Sequence, residues 1–148
     1  QNSRSRTNQF YSNQLPNSID YTKGNTGLTL ILALSYSGKW EITSAVKNIV
    51  DDVQKGKLDP ENIDSILFET YLNTSNIPDP ELLIRTSGER RISNFMLWQL
   101  AYTELYFSPV LWPDFRKKDL YEAIIDYQRR DRRFGKVKDQ VKPITVNN

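Results

Sequence analysis

The sequence predicts an α/β fold built on a parallel or mostly parallel sheet, and two observations carry this prediction. Nearly continuous apolar runs at 28–34 and 82–84 are typical of strands buried on both faces, as in a parallel sheet. Stretches with apolar residues at helical spacing alternate with these runs along the chain. The resulting order is strand, helix, helix, strand, helix, strand, helix, which favours a parallel sheet flanked by helices.

The first predicted elements are a strand and two helices. The strand covers 28–34 and follows a turn. The first helix has apolar residues at helical spacing and is stopped by Gly56. Asp59 and Pro60 resemble an N-cap and a first-turn proline, so a second helix is predicted from there to Tyr71.

The remaining predicted elements follow a proline-rich break. Leu82, Leu83 and Ile84 form a short buried strand that ends at Arg85. A helix is predicted from about Ser93 to 105, and Val110 and Leu111 form a last short strand. A final helix over 120–127 ends in a run dense in arginine, which suits the negative end of a helix dipole.

Three ranges divide the chain. Residues 1–23 are polar and aperiodic, which predicts a poorly ordered or irregular arm. Residues 24–135 form the structured domain, and 136–148 form a polar tail. No apolar run approaches the roughly 20 residues that span a bilayer. Because residues 1–9 are polar, we expect no signal peptide here. We therefore expect a cytoplasmic protein, or one peripheral to the membrane.

Composition excludes several kinds of chemistry. The chain has no cysteine and no histidine, which excludes disulfides, thiolate or imidazole metal sites and histidine bases. A metal ion would have to be held by oxygen ligands, which favours magnesium or calcium. The net charge of +2 gives no reason to expect a nucleic-acid partner.

One segment, 85–95, combines the features of an anion site. It leaves the predicted C-terminal end of a strand and enters a predicted helix N-terminus, and both places suit phosphate. The groups that would serve the anion are Arg85, Arg90, Arg91, Ser87, Ser93 and Gly88. The alternative is a surface loop whose arginines pair with Glu81, Glu89 or solvent, and in which Ser93 is only an N-cap.

Two further candidates each have two interpretations. Glu104 lies among aromatic residues in a predicted helix, where a carboxylate seldom lies without a partner or metal. It is either a metal ligand or an exposed glutamate on a helix face. The run 129–136 is either helix-end charge, a second phosphate contact or a weak nucleic-acid patch.

Four segments resemble the cis-prenyltransferase family, in the family's order. They are NTGLTLILALSYSGKWEI (25–42), RTSGERRISNFMLWQLAYTELYF (85–107), LWPDF (111–115) and RRDRRFG (129–135). The resemblance covers residues 22–135 and implies a parallel sheet flanked by helices around an apolar tunnel. It also implies a Mg²⁺-dependent homodimer that condenses isopentenyl diphosphate onto an allylic diphosphate. The product would be a cis-polyprenyl diphosphate of the undecaprenyl type.

The resemblance assigns roles by motif position. Arg85, Arg91 and Ser93 would bind the diphosphate of isopentenyl diphosphate. Arg133 and Gly135 would reach across the dimer to that diphosphate.

Further roles follow in the same way. The residues that would shape the diphosphate loop are Ser87, Gly88 and Glu89, and Glu104 would help to hold Mg²⁺. Candidates for the tunnel wall are Leu28, Leu30 and Leu32, which lie two apart; their alternative role is simple core.

The sequence also departs from the family pattern. Arg90 stands where some relatives have a histidine near the metal, and SYSGK at 35–39 replaces the commoner Asn-Tyr-Gly-Gly-Arg. The family's N-terminal aspartate signature, which binds Mg²⁺ and the allylic diphosphate, does not occur in this sequence. We therefore expect the chain to correspond to the C-terminal half of the fold and to be inactive alone. The alternative is a non-catalytic subunit that docks on a complete synthase.

Overall fold

The structure is a computed structural model, and it describes residues 15–130. The chain divides into two compact units, Gln1–Leu34 and Ser35–Asn148. In the first unit, residues 15–22 are helical, where the sequence predicts an irregular arm. Residues 23–34 have no regular secondary structure.

The strand predicted over 28–34 is therefore absent. Its apolar side chains are exposed; Leu28, for example, is 93% exposed. A strand is stable only when its backbone groups bond to a neighbouring strand, and residues 15–34 provide none. The prediction of a buried strand is therefore wrong for residues 15–34, in which no pairing partner covers this apolar run.

Within residues 35–130, the second unit contains three α-helices and two strands. They are helix α1 (Gly38–Gln54), helix α2 (Ser65–Thr70), strand β1 (Leu82–Arg85), strand β2 (Glu104–Phe107) and helix α3 (Lys117–Gln128). Two single 3₁₀ turns, Pro60–Asn62 and Trp112–Asp114, connect these elements.

Strands β1 and β2 pair in parallel, which confirms the predicted fold class. Leu82 lies opposite Glu104, and Arg85 lies opposite Phe107. Both strands therefore end at the same edge of the sheet. Helix α3 packs against β2 and buries Ala123 completely.

Helix α1 confirms the first predicted helix. Ala45 and Ile49 are buried at helical spacing, and Gly56 ends the segment with a φ of +69°. The Ser37 hydroxyl accepts a hydrogen bond from the Trp40 N–H at 3.3 Å, as an N-cap does.

The second predicted helix is divided in two. Asp59 does act as a cap, but only for the 3₁₀ turn that Pro60 opens. The chain then becomes extended at Ile63, and Asp64 caps helix α2 by accepting from the Leu67 N–H at 2.7 Å. Two Asp caps five residues apart thus open two short elements in place of one.

The helix predicted from Ser93 to 105 is wrong. Ser93, Asn94 and Met96 have φ values of 49°, 63° and 46°, which a right-handed helix cannot include. The chain makes turns as far as Tyr102, and Glu104 begins strand β2. The last strand within residues 15–130 is therefore Glu104–Phe107, and the strand predicted at 110–111 does not form.

Candidate functional site

The candidate loop connects the two strands. It leaves β1 after Arg85 and returns at β2, so it begins at the sheet edge formed by the C-terminal ends of both strands. The Ser108 N–H donates to the Arg85 carbonyl at 2.8 Å, which extends the parallel pairing one step beyond β2. Ligands of open α/β sheets bind at this edge.

A cavity of about 340 Å³ lies at this edge. Its lining comprises Leu83, Ile84, Arg85, Thr86, Ser87, Glu89, Ile92 and Phe95. It brings together three of the predicted site residues, Arg85, Ser87 and Glu89. Arg91 and Ser93 are exposed and lie outside its lining.

The backbone of the loop is already hydrogen-bonded. Ser87 and Gly88 both have a φ of 70°, and their N–H groups donate to Val110 and Ser108 carbonyls at 2.8 and 2.9 Å. These two N–H groups therefore do not face a ligand. Because no helix begins at Ser93, the predicted helix N-terminus is also missing. An anion in this cavity would therefore be bound by side chains rather than by backbone N–H groups.

Arg91 is paired with Glu89 within the loop. Their charged groups are in direct contact, while the two side chains are 67% and 38% exposed. This contact matches the alternative interpretation, in which loop arginines pair with loop carboxylates. Such an exposed ion pair is weak, so a more highly charged anion can displace Glu89 from Arg91. Arg90 is exposed as well.

Asn94 fastens the loop to helix α1, a role that the sequence analysis missed. Its side-chain oxygen accepts from the Lys39 N–H at 2.8 Å, and its carbonyl accepts from the Gly38 N–H at 2.8 Å. Its amide donates to the Ser37 hydroxyl at 2.8 Å. A Cβ on Gly38 would lie 2.9 Å from Leu97 Cγ, so this close approach requires glycine.

The sequence analysis also missed Glu41, which is only 2% exposed. Its carboxylate accepts from the Tyr36 hydroxyl, from Gln99 Nε2 at 3.1 Å and from the Asn73 N–H at 3.1 Å. Burial, together with this carboxylate, raises the pKa of the Tyr36 phenol far above its ordinary value. The cluster joins α1 to the 93–103 segment. A charged residue within a helix's apolar stripe was the signal available in the sequence.

Glu104 lies at the opposite end of the sheet from the candidate loop, where strand β2 begins. It opens β2, so three strand steps, or about 10 Å, separate its level from that of Arg85. Its carboxylate accepts from Arg130 Nη1 at 2.7 Å. The hydrogen bond to Glu104 raises the pKa of Arg130 above its ordinary value. The exposed helix-face alternative is wrong, because Glu104 is in a strand and half-buried.

The chemistry of Glu104 suits Mg²⁺, but its surroundings do not form a complete metal site. A carboxylate is the donor type that Mg²⁺ prefers. Within residues 15–130, however, no three acidic side chains gather around one point. One oxygen of Glu104 is also already held by Arg130. A metal ion at Glu104 would have to replace the guanidinium there.

The remaining predicted residues fall in two places. Leu28, Leu30 and Leu32 line a cavity of about 640 Å³ within the first unit, opposite the helical segment 15–22. They are largely exposed, so simple core is not their role in the described residues. Arg133 and Gly135 lie outside the described residues.

The parallel sheet, with its polar loop at the C-terminal ends of the strands, defines an α/β protein whose candidate site lies at that edge of the sheet. The family model of undecaprenyl diphosphate synthases matches residues 2–135. The chain belongs to this family, the cis-prenyltransferases. The match begins closer to the N-terminus than residue 22, so the first segment also shares the family pattern.

Several relatives resemble the chain closely. An isoprenyl transferase of Chlorobaculum tepidum is 59% identical over 86% of this chain and 48% of its own length. A (2E,6E)-farnesyl-diphosphate-specific ditrans,polycis-undecaprenyl-diphosphate synthase of Coxiella burnetii is 52% identical over 86% of this chain and 54% of its own length. The chain thus spans about half the length of the curated relatives that it matches.

A solved structure shares the fold. The lavandulyl diphosphate synthase of Lavandula x intermedia, crystallised with dimethylallyl diphosphate, superposes with a TM-score of 0.76 at 44% identity. The superposition covers 82% of this chain and 54% of that one. Each helix within residues 15–130 is too short or too polar to span a bilayer.

Proposed function

We propose that this chain serves prenyl transfer by binding the diphosphate of isopentenyl diphosphate, as one part of a cis-prenyltransferase active site. The observation that carries the proposal is the cavity at the C-terminal edge of the sheet, into which Arg85 is placed by β1. The co-substrate would be an allylic diphosphate and the product a cis-polyprenyl diphosphate of the undecaprenyl type. The Coxiella burnetii relative, named for that product, supports this choice.

The side chains at this edge suit a diphosphate. Arg85 offers a forked pair of donors, and Thr86 and Ser87, which carry hydroxyl groups, line the same cavity. Arg91 joins them once the anion replaces Glu89. Since the loop backbone is fixed by its bonds to Ser108 and Val110, these side chains start from a defined place.

Mg²⁺ would assist at Glu104, which lies at the opposite end of the sheet from Arg85 and would therefore serve a site shared with the partner subunit. Bound Mg²⁺ neutralises negative charge on a diphosphate, and it needs few protein carboxylates because substrate oxygens and water complete its shell. The described residues supply Glu104 as the donor that the family motif assigns.

A homodimer would complete the site. Helix α3 ends beside Glu104, at the edge of the sheet opposite Arg85. The motif resemblance assigns Arg133 and Gly135 to the loop of a second copy.

Titration calorimetry with isopentenyl diphosphate tests the proposal, with wild-type chain beside Arg85→Ala. Arg85→Ala should weaken binding by about tenfold to a hundredfold, because it removes a charge-assisted pair. Lys47→Ala is the matched control, since it removes one positive charge from an exposed site on α1. Equal affinities for all three proteins would refute the assignment of the 85–91 loop.

A further inference from the structure

Asn94 caps helix α1 from far along the chain. The first N–H groups of a helix have no partner within the helix itself. In α1 the Gly38 N–H donates to the Asn94 carbonyl at 2.8 Å, and the Lys39 N–H donates to the Asn94 side-chain oxygen at 2.8 Å. The Asn94 amide donates in turn to the hydroxyl of Ser37, the N-cap residue, at 2.8 Å. One residue of the candidate loop thus bonds to three successive residues at the start of α1.

We propose that Asn94 is a positioning residue for the diphosphate: by joining the candidate loop to α1, it holds residues 89–93 where they can meet the anion. This inference rests on the proposed function, in which the loop binds the diphosphate of isopentenyl diphosphate. The role is indirect, because the side-chain oxygen and the amide of Asn94 are already bonded to Lys39 and Ser37.

Residues 89–93 lie between two anchored points. Before them, the Gly88 N–H donates to a carbonyl that follows β2, at 2.9 Å. After them, Asn94 binds α1, and the ring of Phe95 packs edge-on against Tyr36 with ring centres 5.4 Å apart. Asn94 is therefore the residue at which the loop enters the packed part of the second unit.

The backbone around Asn94 depends on these hydrogen bonds. Ser93 and Asn94 have φ values of 49° and 63°, in the left-handed region that costs free energy for residues with a Cβ. Asparagine tolerates this region better than most residues, but two such residues in succession are unfavourable in a free chain. The bonds from Asn94 to α1 stabilise a path that the loop would otherwise leave.

The position of the loop affects affinity. A loop that is already in place binds its ligand more tightly than one that the ligand must order. Without the Asn94 side chain, Arg91 keeps its charge but loses its fixed position. Arg85 stays in place, because β1 is paired with β2. Loss of Asn94 should therefore weaken diphosphate binding less than loss of Arg85 does.

Titration calorimetry of the chain with isopentenyl diphosphate measures this effect. Asn94→Gly keeps the left-handed backbone without strain and removes both side-chain hydrogen bonds. It should weaken binding by about threefold to tenfold. Asn48→Gly is the matched control, since it makes the same substitution at an exposed position of α1 and lowers helix stability away from the loop. Its affinity should stay within about twofold of wild type, which separates positioning from a general loss of stability.

Ser37→Ala tests the same contact from the helix. It removes the acceptor of the Asn94 amide and should weaken binding by about twofold to threefold, although Ser37 does not line the cavity. Ser37→Thr keeps the hydroxyl and should bind as wild type does. The double variant Ser37→Ala with Asn94→Gly should bind no more weakly than Asn94→Gly, because both changes break one contact. If Asn94→Gly fails to keep its helical circular dichroism, the Ser37 variants decide.

A second readout follows the loop without any diphosphate. The chain has no cysteine, so Arg90→Cys and Lys47→Cys place nitroxide labels at one point in the loop and one point on α1. Pulsed electron paramagnetic resonance then gives the distribution of distances between the two labels. Adding Asn94→Gly to this labelled chain should broaden the distribution.

Two results would overturn the inference: an affinity of Asn94→Gly equal to that of Asn48→Gly, or a distance distribution that Asn94→Gly leaves unchanged. A wild-type chain that does not bind isopentenyl diphosphate would instead refute the proposed function. The width of the distance distribution would then decide by itself whether Asn94 positions the loop.

Discussion

Gln99 donates its side-chain amide to Glu41 across 3.1 Å, at a place where each side chain is only 2% exposed. The same amide donates to the Thr74 hydroxyl at 2.8 Å. Gln99 therefore joins helix α1 to the chain between α2 and β1, from within the connection that carries the candidate loop. Although these side chains are polar, their buried hydrogen bonds stabilise the second unit as buried apolar contacts would.

Glu41→Gln should destabilise the chain by about 2–4 kcal/mol, because a buried acceptor becomes an amide that faces donors. Urea denaturation followed by circular dichroism measures the free energy of unfolding. Glu122→Gln, which makes the same change at an exposed position of α3, should stay within about 0.5 kcal/mol. Equal effects of the two variants would show that the Glu41 cluster does not stabilise the fold.

Gly38→Ala should cost about 1–3 kcal/mol, since its Cβ would press on Leu97 and on the Asn94 carbonyl. The same strain should loosen the loop that Asn94 fastens. Thermal unfolding gives the stability change. Gly24→Ala is the control, because no atom lies within 4 Å of the added Cβ. A melting temperature as high as that of the control would contradict the close approach at Gly38.

The Tyr36 phenol should make stability depend on alkaline pH. Burial and Glu41 raise its folded-state pKa above the ordinary value of 10.0. Its contribution is therefore fully present below pH 10 and is lost as pH rises above it, because the unfolded chain releases the proton first. Unfolding measured in urea between pH 9 and 11.5 should lose stability less steeply in Tyr36→Phe. Tyr102→Phe, at a 75% exposed site, should keep the wild-type slope.

Glu89→Gln should strengthen binding of isopentenyl diphosphate by about two- to fivefold, because it frees Arg91 and removes a negative charge from the cavity wall. Calorimetry measures the affinity. Glu61→Gln makes the same charge change at an exposed residue of the 3₁₀ turn at 60–62 and serves as the reference. Weaker binding in Glu89→Gln would mean that Glu89 supports the loop rather than restraining Arg91.

The exposed apolar run at 28–34 should cause self-association. Leu28 and Leu30 are 93% and 76% exposed, and such a row of exposed apolar side chains favours pairing with another chain. Light scattering at micromolar concentration should show a dimer or larger species. Leu30→Lys should shift the distribution toward monomer, while Thr29→Lys should do so less. A sharp wild-type monomer peak would refute this.

The elements that were predicted correctly from the sequence are those that depend on residues close to them in the chain. Helix α1, with its apolar spacing and the stop at Gly56, and strand β1 to Arg85 were both predicted correctly. Asp59 was identified as a cap, yet the length of the element it opens depends on the extended residue at Ile63.

The remaining elements depend on distant partners. The 28–34 run has the composition of a strand, but pairing decides whether a strand forms. Phe95 and Trp98 have helical spacing, but positive φ values at Ser93, Asn94 and Met96 interrupt the helix. The site shows the same division: Arg85, Ser87 and Glu89 follow from a motif, whereas Asn94 and Glu41 act through partners more than 50 residues away.

The parallel pairing of β1 and β2 has a consequence for how this site can evolve. Parallel strands require a long connection, and here the connection from 86 to 103 is also the candidate binding loop. Insertions or deletions in it would alter the path that brings the strands into register. Ligand preference in such a protein is therefore expected to change through substitution at fixed loop length, and a cut anywhere in the loop would remove the fold and the site together.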